Sequence, residues 1–348
     1  MSRPNFVHPD YWALLGGEAP PTRESLAPPA DLHEVREQFN GAMEAAYSTV
    51  PYPAGVTESI RTATSTDGSE ISVTRFVPLA AQDSSGSSSG TAQRAIVFLF
   101  GGGLVAGSVE ISRNSIAHIA HLSATQVFAP SYRLIPEHPF PAALEDVYST
   151  VAWLQAHAGE FNVDPARIVL LGVSAGGNLA AAAALKARDD GLDPPIAAQV
   201  LRYPMLDDRT RLDPADPRGP YLVSSPGVGE MLWKGYLGRT VGSRETGEQY
   251  AELRPPGQRR LTPERQVPYL AAPARAEDMQ RLPPAHIGVG SLDLLRDECI
   301  SYAARLAAQN VAVQFNLYPG VPHGFDGSPA FTLGAEMLDN EARFIRKF

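Results

Sequence analysis

The sequence is almost without cysteine and has no long uninterrupted apolar run. Cys299 is the single cysteine among 348 residues, which excludes an internal disulfide and a cysteine-based metal cluster. The N-terminal segment lacks the apolar core of a secretory signal, so we expect a cytoplasmic protein. One uncharged stretch, residues 168–185, has glycines, a serine and an asparagine near its middle. It predicts a buried strand, a turn and a helix, and no stable membrane insertion.

Positive charge is also in short supply. Lysine and arginine number 29 against 38 aspartates and glutamates, which gives a net charge of −9. An acidic protein has no electrostatic attraction to nucleic acid, so we expect no nucleic-acid partner. Hydrophobic residues at 44% and charged residues at 19% are typical of a globular protein. The length predicts one large domain with an appendage, or two domains.

Apolar runs alternate with amphipathic segments along most of the chain. The runs at 95–100 (AIVFLF) and 167–173 (RIVLLGV) are typical of strands buried on both faces. Strands are predicted at 58–64, 71–77, 95–100, 127–129, 167–173, 197–203, 284–289 and 311–318. Helices are predicted at 142–157, 175–187, 297–309 and 334–346, with a further amphipathic face over 32–43. This alternation indicates an α/β fold with a mostly parallel central sheet flanked by helices.

One segment interrupts this alternation. Residues 208–275 are rich in proline, glycine and arginine, with a helix-like island at 231–237. We interpret 208–275 as a cap (lid) insertion, joined in space by an N-terminal cap segment, residues 1–50. The catalytic domain would then comprise residues 51–207 and 276–348.

A short motif, GVSAGG at 172–177, stands where a buried strand ends and a helix begins. This context is required of a nucleophile elbow, in which a sharp turn raises the serine hydroxyl above the sheet. Small neighbours are needed because a side chain there would collide with the backbone. Ser174 is therefore a candidate nucleophile, and the alternative is a tight turn with an idle serine.

Three glycines follow the strand at 95–100. The segment FGGG at 100–103 lets backbone N–H groups approach a ligand closely, and the N–H of Ala175 lies at a helix N-terminus. Together these amides could bind the oxyanion of a tetrahedral intermediate. The alternative is a flexible loop.

A serine nucleophile needs a base and an orienting acid. In proteins with a nucleophile elbow, the acid follows the serine along the chain and the histidine base follows the acid. Only two histidines follow Ser174. His286 lies within an apolar strand and is expected to be packed, whereas His323 lies in a loop after a strand and is the candidate base. Asp293 follows a strand and is the candidate acid. Asp297 and Glu298 compete, but they fall in a helix's first turn, where acids favour the helix dipole.

Six segments of the chain resemble the hormone-sensitive-lipase-like esterases of the α/β-hydrolase fold. They are FGGG at 100–103, SYRLIPEHPFPAALED at 131–146, GVSAGGNLA at 172–180, YPMLDDR at 203–209, GSLDLLRDE at 290–298 and YPGVPHGF at 318–325. They span nearly the whole catalytic domain in the family's order.

The resemblance implies a role for each matching position. It implies Ser174 as nucleophile, Asp293 as acid and His323 as base. It implies backbone oxyanion donors at Gly102, Gly103 and Ala175. It also implies a cap, built from the N-terminal residues and the 208–275 insertion, over an ester pocket.

The sequence departs from the family at two positions. The family has histidine before its three glycines and aspartate in the elbow, whereas this chain has Phe100 and Val173. Neither change removes a backbone donor. The family's histidine holds the glycine loop by hydrogen bonds, and Phe100 can hold it only by packing, worth about 1.5–3 kcal/mol if buried.

These observations predict a serine carboxylesterase that hydrolyses esters of small to medium apolar groups through an acyl-enzyme. Its partner is a small-molecule ester, and the chemistry needs no metal or organic cofactor. Residues expected near the substrate are Phe100, Leu104, Val173, Trp233 and Tyr236. A lactonase, amidase or acyl-transfer enzyme would use the same triad, and a catalytically silent receptor on this fold is a further alternative. The oligomeric state stays open, a homodimer included.

Overall fold

Eight strands form one sheet in the computed structural model, which describes residues 3–20, 29–82, 92–238 and 267–348. The strands are β1 (Val56–Thr64), β2 (Glu70–Pro78), β3 (Gln93–Leu99), β4 (Gln126–Pro130), β5 (Val163–Val173), β6 (Ala198–Arg202), β7 (Ala285–Gly290) and β8 (Val313–Tyr318). Their order is β1-β2-β4-β3-β5-β6-β7-β8. β2 pairs antiparallel with β1 and with β4, and every other pairing is parallel. The prediction of a mostly parallel α/β sheet is confirmed.

Burial explains which apolar runs became central strands. Residues 95–99 of β3 and 168–173 of β5 are buried without interruption, as strands covered by helices on both faces must be. At the antiparallel edge, β1 buries only its first residue and Ala63 and exposes much of the rest. The core therefore lies around β3, β5 and their covering helices.

Nine α-helices occur in the described residues. They are α1 (Pro9–Leu14), α2 (Leu32–Tyr47), α3 (Leu79–Gln82), α4 (Val109–Ser123), α5 (Ala142–Ala156), α6 (Ala175–Asp189), α7 (Pro226–Tyr236), α8 (Arg296–Ala308) and α9 (Thr332–Ile345). The helices predicted from the sequence fall on α2, α5, α6, α7, α8 and α9. Within the described ranges, none of the helices combines the length and apolar composition that a membrane crossing requires.

The parallel strands all end at one edge of the sheet. β3 ends at Leu99, β5 at Val173, β7 at Gly290 and β8 at Tyr318. The loops that follow these strands carry the glycine segment, Ser174, Asp293 and His323 in turn. The topology therefore collects residues that are far apart in sequence, as is general at the carboxyl edge of parallel sheets.

Two helices outside the alternating pattern meet near this edge. α2 contacts α4 and α7, and it also contacts the short 3-10 turn Phe325–Gly327. α7 belongs to the segment interpreted as an insertion, of which residues 239–266 lie outside the described part of the chain.

Candidate active site

Ser174 occupies a sharp turn between β5 and α6. Its backbone has φ 55° and ψ −114°, a conformation that non-glycine residues adopt rarely and mainly at functional sites. The turn packs against the end of β3 so closely that a Cβ at Gly176 would overlap the carbonyl oxygen of Leu99. Glycine is therefore required at position 176, which explains the small residues of the motif.

A continuous hydrogen-bond chain joins the three residues predicted to carry chemistry. The Oγ of Ser174 lies 2.9 Å from Nε2 of His323, and Nδ1 of His323 lies 2.7 Å from Oδ2 of Asp293. The second oxygen of Asp293 accepts the N–H of Leu295 at 2.8 Å, and the aspartate side chain is only 1% exposed. This geometry is that of a nucleophile, a base and an orienting acid.

The competing residues point elsewhere. His286 is buried within β7, and burial lowers its pKa to about 4. Asp297 pairs with Arg296, while Glu298 accepts the N–H of Leu206 at 2.5 Å. Among the described residues, no three His, Cys, Asp or Glu side chains are grouped so as to hold a metal ion.

Arg218 stabilises the loop that carries Asp293. Its guanidinium is nearly buried and donates to the carbonyl oxygen of Asp293 at 3.0 Å. It also pairs with Asp216 and Asp297 at 2.7 and 3.0 Å. The sequence does not predict this contact, because nothing in the spacing of residues 216–218 links them to a loop 75 residues further on.

The glycine loop presents free amides beside Ser174. Gly102 and Gly103 have φ angles of 124° and 64°, which glycine adopts readily, and both line the cavity described below. Within the described part of the chain, the N–H groups of Gly102, Gly103 and Ala175 have no acceptor. Ala175 is fully buried and begins α6 directly after Ser174. These three amides are therefore candidate donors to an oxyanion formed at Ser174.

Phe100 holds the start of the glycine loop by packing, and Tyr132 adds a hydrogen bond to the backbone of Phe100. Its ring stacks on Tyr132 with centroids 4.1 Å apart and planes 11° from parallel. The hydroxyl of Tyr132 also donates to the carbonyl oxygen of Phe100 at 2.6 Å. The start of the glycine loop is thus fixed by a hydrogen bond to its backbone, although the side chain of Phe100 cannot form a hydrogen bond itself.

α2 fastens the far end of the same loop. Arg36 donates to the carbonyl oxygen of Val105 at 2.7 Å and forms an ion pair with Glu137 at 2.5 Å. The side-chain oxygen of Asn40 accepts the N–H of Gly107 at 2.9 Å. The N-terminal helix therefore restrains the loop that carries the amide donors.

An apolar cavity of about 270 Å³ adjoins Ser174 and His323. Its walls come from the glycine loop, α2, α7 and the loops after β6 and β7. The apolar and aromatic contributions of the two helices include Phe39, Met43, Tyr47, Leu232 and Trp233. No lysine, arginine or glutamate among the described residues lines it. Such a cavity suits an uncharged ligand and lies near the lower end of ligand-site volumes, about 300–1,000 Å³.

Only two of the five predicted pocket residues line this cavity. Val173 and Trp233 do, whereas Phe100, Leu104 and Tyr236 do not. Phe100 faces Tyr132, and Leu104 is buried in a turn with φ 64°. Tyr236 is fully buried and packs edge-on against Phe140, with ring centroids 5.6 Å apart. These three side chains are core residues behind the wall.

A family model described as the alpha/beta hydrolase fold matches residues 96–327, and the chain belongs to this α/β-hydrolase family, as its resemblance to the hormone-sensitive-lipase-like esterases predicted. The chain is 33% identical over 233 residues to esterase LipI of Mycobacterium tuberculosis, covering 67% of this chain. It is 33% identical over 232 residues to carboxylesterase NlhH of the same species, covering 66% of this chain. The alignments span 65% of LipI and 66% of NlhH, just under two thirds of each relative.

Solved structures agree with this membership. A bacterial heroin esterase superposes with a TM-score of 0.77 at 28% identity, covering 98% of both chains. The esterase of the hyperthermophilic archaeon Pyrobaculum calidifontis gives a TM-score of 0.75 at 29% identity, also covering 98% of both chains.

Proposed function

We propose that the protein is a serine carboxylesterase that hydrolyses uncharged esters of small to medium apolar groups. The observation that carries the proposal is the chain Asp293–His323–Ser174 at the wall of an apolar cavity. The names of the related esterases LipI and NlhH support it. A hydrogen-bonded histidine base counts against the silent-receptor alternative, because a receptor has no use for it.

The proposed mechanism has two acyl transfers. His323 accepts the proton of Ser174 as the serine oxygen attacks the ester carbonyl, and Asp293 stabilises the imidazolium. The oxyanion accepts hydrogen bonds from the amides of Gly102, Gly103 and Ala175. The imidazolium then protonates the leaving alcohol, which leaves an acyl-enzyme. Water repeats the sequence, releases the carboxylic acid and restores the serine.

The proposal includes a cap over this site. The cap consists of residues 1–50 and 208–275, and the catalytic domain of residues 51–207 and 276–348. Its support is that α2 and α7 contact each other and both contribute to the cavity wall. Substrate size would then be read mainly by Phe39, Met43 and Trp233.

The ester panel that tests the proposal consists of p-nitrophenyl acetate, butyrate and decanoate. We expect kcat/KM to be highest for acetate or butyrate and to fall for decanoate, because the cavity is small and lined by bulky side chains. Initial rates are measured at matched substrate concentrations below micelle formation. Highest activity on decanoate would contradict the size range, and inertness toward all three esters would contradict the function itself.

The pH dependence of kcat/KM provides a second test. Burial alone would lower the pKa of His323, but the charge and hydrogen bond of Asp293, with the charge of Asp326, raise it. Imidazolium cannot accept the serine proton, so activity is lost as the pH falls through this raised pKa. We therefore expect the acidic limb above the usual imidazole value of about 6.5. Rates across buffers of constant ionic strength check this, and a limb below that value would contradict the electrostatics.

A further inference from the structure

A buried ion cluster lies close to His323 through Tyr203 and Asp326, and the proposed mechanism does not use it. The side chain of Arg202, at the end of β6, is completely buried. Its Nη1 donates to Asp326 at 2.5 Å, and its Nε and Nη2 donate to Glu341 at 2.9 and 2.5 Å. Asp326 and Glu341 are 1% and 2% exposed. Burying three charges is costly unless each is paired, so this cluster needs every member.

Tyr203 connects the cluster to the imidazole. Its hydroxyl donates to the second oxygen of Asp326 at 2.5 Å, and its ring lies 4.4 Å from the ring of His323, centroid to centroid. Its backbone has φ 34°, and its N–H donates to the carbonyl oxygen of Gly288 at 2.6 Å. Tyr203 also lines the cavity. The imidazole is thus in contact with a tyrosine that is held by hydrogen bonds at both its backbone and its hydroxyl.

The cluster also reaches the nucleophile and the histidine loop through the backbone. The N–H of Ser174 donates to the carbonyl oxygen of Arg202 at 2.9 Å. Asp326 stands three residues after His323, in the 3-10 turn Phe325–Gly327. Arg202 and Asp326 therefore tie the serine turn to the histidine loop through one buried ion pair.

The charge of the cluster affects the pKa of His323, which packing alone would not do. Two carboxylates face one guanidinium, so the cluster carries an excess negative charge when both are ionised. The groups that face His323 are Ser174, Asp293, Tyr203 and Asp326, and Tyr47 of α2 lies beside Gly327. Burial has the largest effect on the pKa of His323 and lowers it. Asp293 raises this pKa, and the charge of Asp326 raises it further.

We propose that Asp326 and Tyr203 are positioning residues for His323, with Arg202 as their anchor. The inference rests on the proposed function, since it concerns the base of that reaction. Tyr203 packs against one side of the imidazole, with the two ring planes 57° apart, and Asp326 holds Tyr203 and the histidine loop in register with Ser174. Asp326 also supplies a second negative charge to the imidazolium that forms during catalysis.

The test uses Asp326→Asn and Tyr203→Phe in the full chain. For Asp326→Asn we expect kcat to fall about tenfold or more with KM within about threefold, because a misplaced base mainly costs the chemical step. Its acidic limb of kcat/KM should move to lower pH, because the imidazolium loses a neighbouring negative charge. Tyr203→Phe keeps every charge, so kcat should fall severalfold while the limb stays in place. Tyr203→Phe also keeps the proposal testable if Asp326→Asn fails to fold, and a wild-type kcat there would overturn it.

Glu341→Gln is the matched control, since it removes the other carboxylate from the same arginine and is not among the charges that shift the pKa of His323. We expect a comparable loss of thermal stability with the wild-type acidic limb. An Asp326→Asn limb that coincides with wild type, or an equal shift in Glu341→Gln, would overturn the assignment. The NMR titration of the His323 imidazole reports the same shift without turnover. A wild type inert toward esters would therefore refute the proposed function separately from this inference.

Discussion

Ser174→Ala is expected to lose about 10⁴-fold or more of kcat/KM on the best ester of the panel. The variant lacks the hydroxyl oxygen that lies 2.9 Å from Nε2 of His323 and is proposed to attack the carbonyl. The oxyanion amides and the cavity stay in place, so KM should change little. Wild type and variant are assayed in parallel, with circular dichroism to establish equal folding.

Covalent labelling makes this result specific. A p-nitrophenyl phosphonate should add one phosphonyl group to the wild-type protein, detected by mass spectrometry, and none to Ser174→Ala. Ser224→Ala is the matched control, because Ser224 lines the same cavity. It should keep the label and change kcat/KM by less than about tenfold. Labelling of Ser174→Ala, or retention of a few per cent of its activity, would assign the nucleophile elsewhere.

Residue patterns within short segments of the chain predicted the candidate nucleophile, acid and base. The elbow at Ser174 follows from a buried apolar run, small residues and a helix start, all within a dozen positions. The loops of Asp293 and His323 follow from strand ends, which parallel topology brings to one edge. Helix α4 was missed, although Ser108 caps its first turn and Ile116 and Ala120 share its buried face.

Contacts between residues that are far apart in the chain could not be predicted from the sequence. Tyr203 and Asp326 are separated by 123 residues, and neither has a neighbour that marks it as a partner of the other. Trp233 and Tyr236 stand three positions apart on α7, yet only Trp233 lines the cavity. Which side of a helix faces a ligand depends on how the helix packs on its neighbours. The spacing of apolar residues predicts that a helix has an apolar stripe, but it does not predict which neighbour or ligand that stripe faces.

Gly102→Ala is expected to lower kcat by about 10²–10³-fold while leaving KM within a few-fold, the effect of displacing an oxyanion donor. Gly102 has φ 124°, and a Cβ there would overlap the carbonyl oxygen of Ala106. That carbonyl lies in the same turn, because the N–H of Ala106 donates to the carbonyl oxygen of Gly102 at 2.9 Å. The loop must therefore shift, and the amides of Gly102 and Gly103 move with it.

Gly68→Ala separates this effect from general backbone strain. Gly68 also has a positive φ, 86°, but no atom lies within 4 Å of the added Cβ, and it lies in the turn between β1 and β2, away from the site. Both variants should lose thermal stability, because alanine is disfavoured at positive φ. Only Gly102→Ala should lose kcat, since only there does the strain displace amides that are proposed to bind the oxyanion. Wild-type kcat in a folded Gly102→Ala protein would mean that the oxyanion is stabilised by other donors.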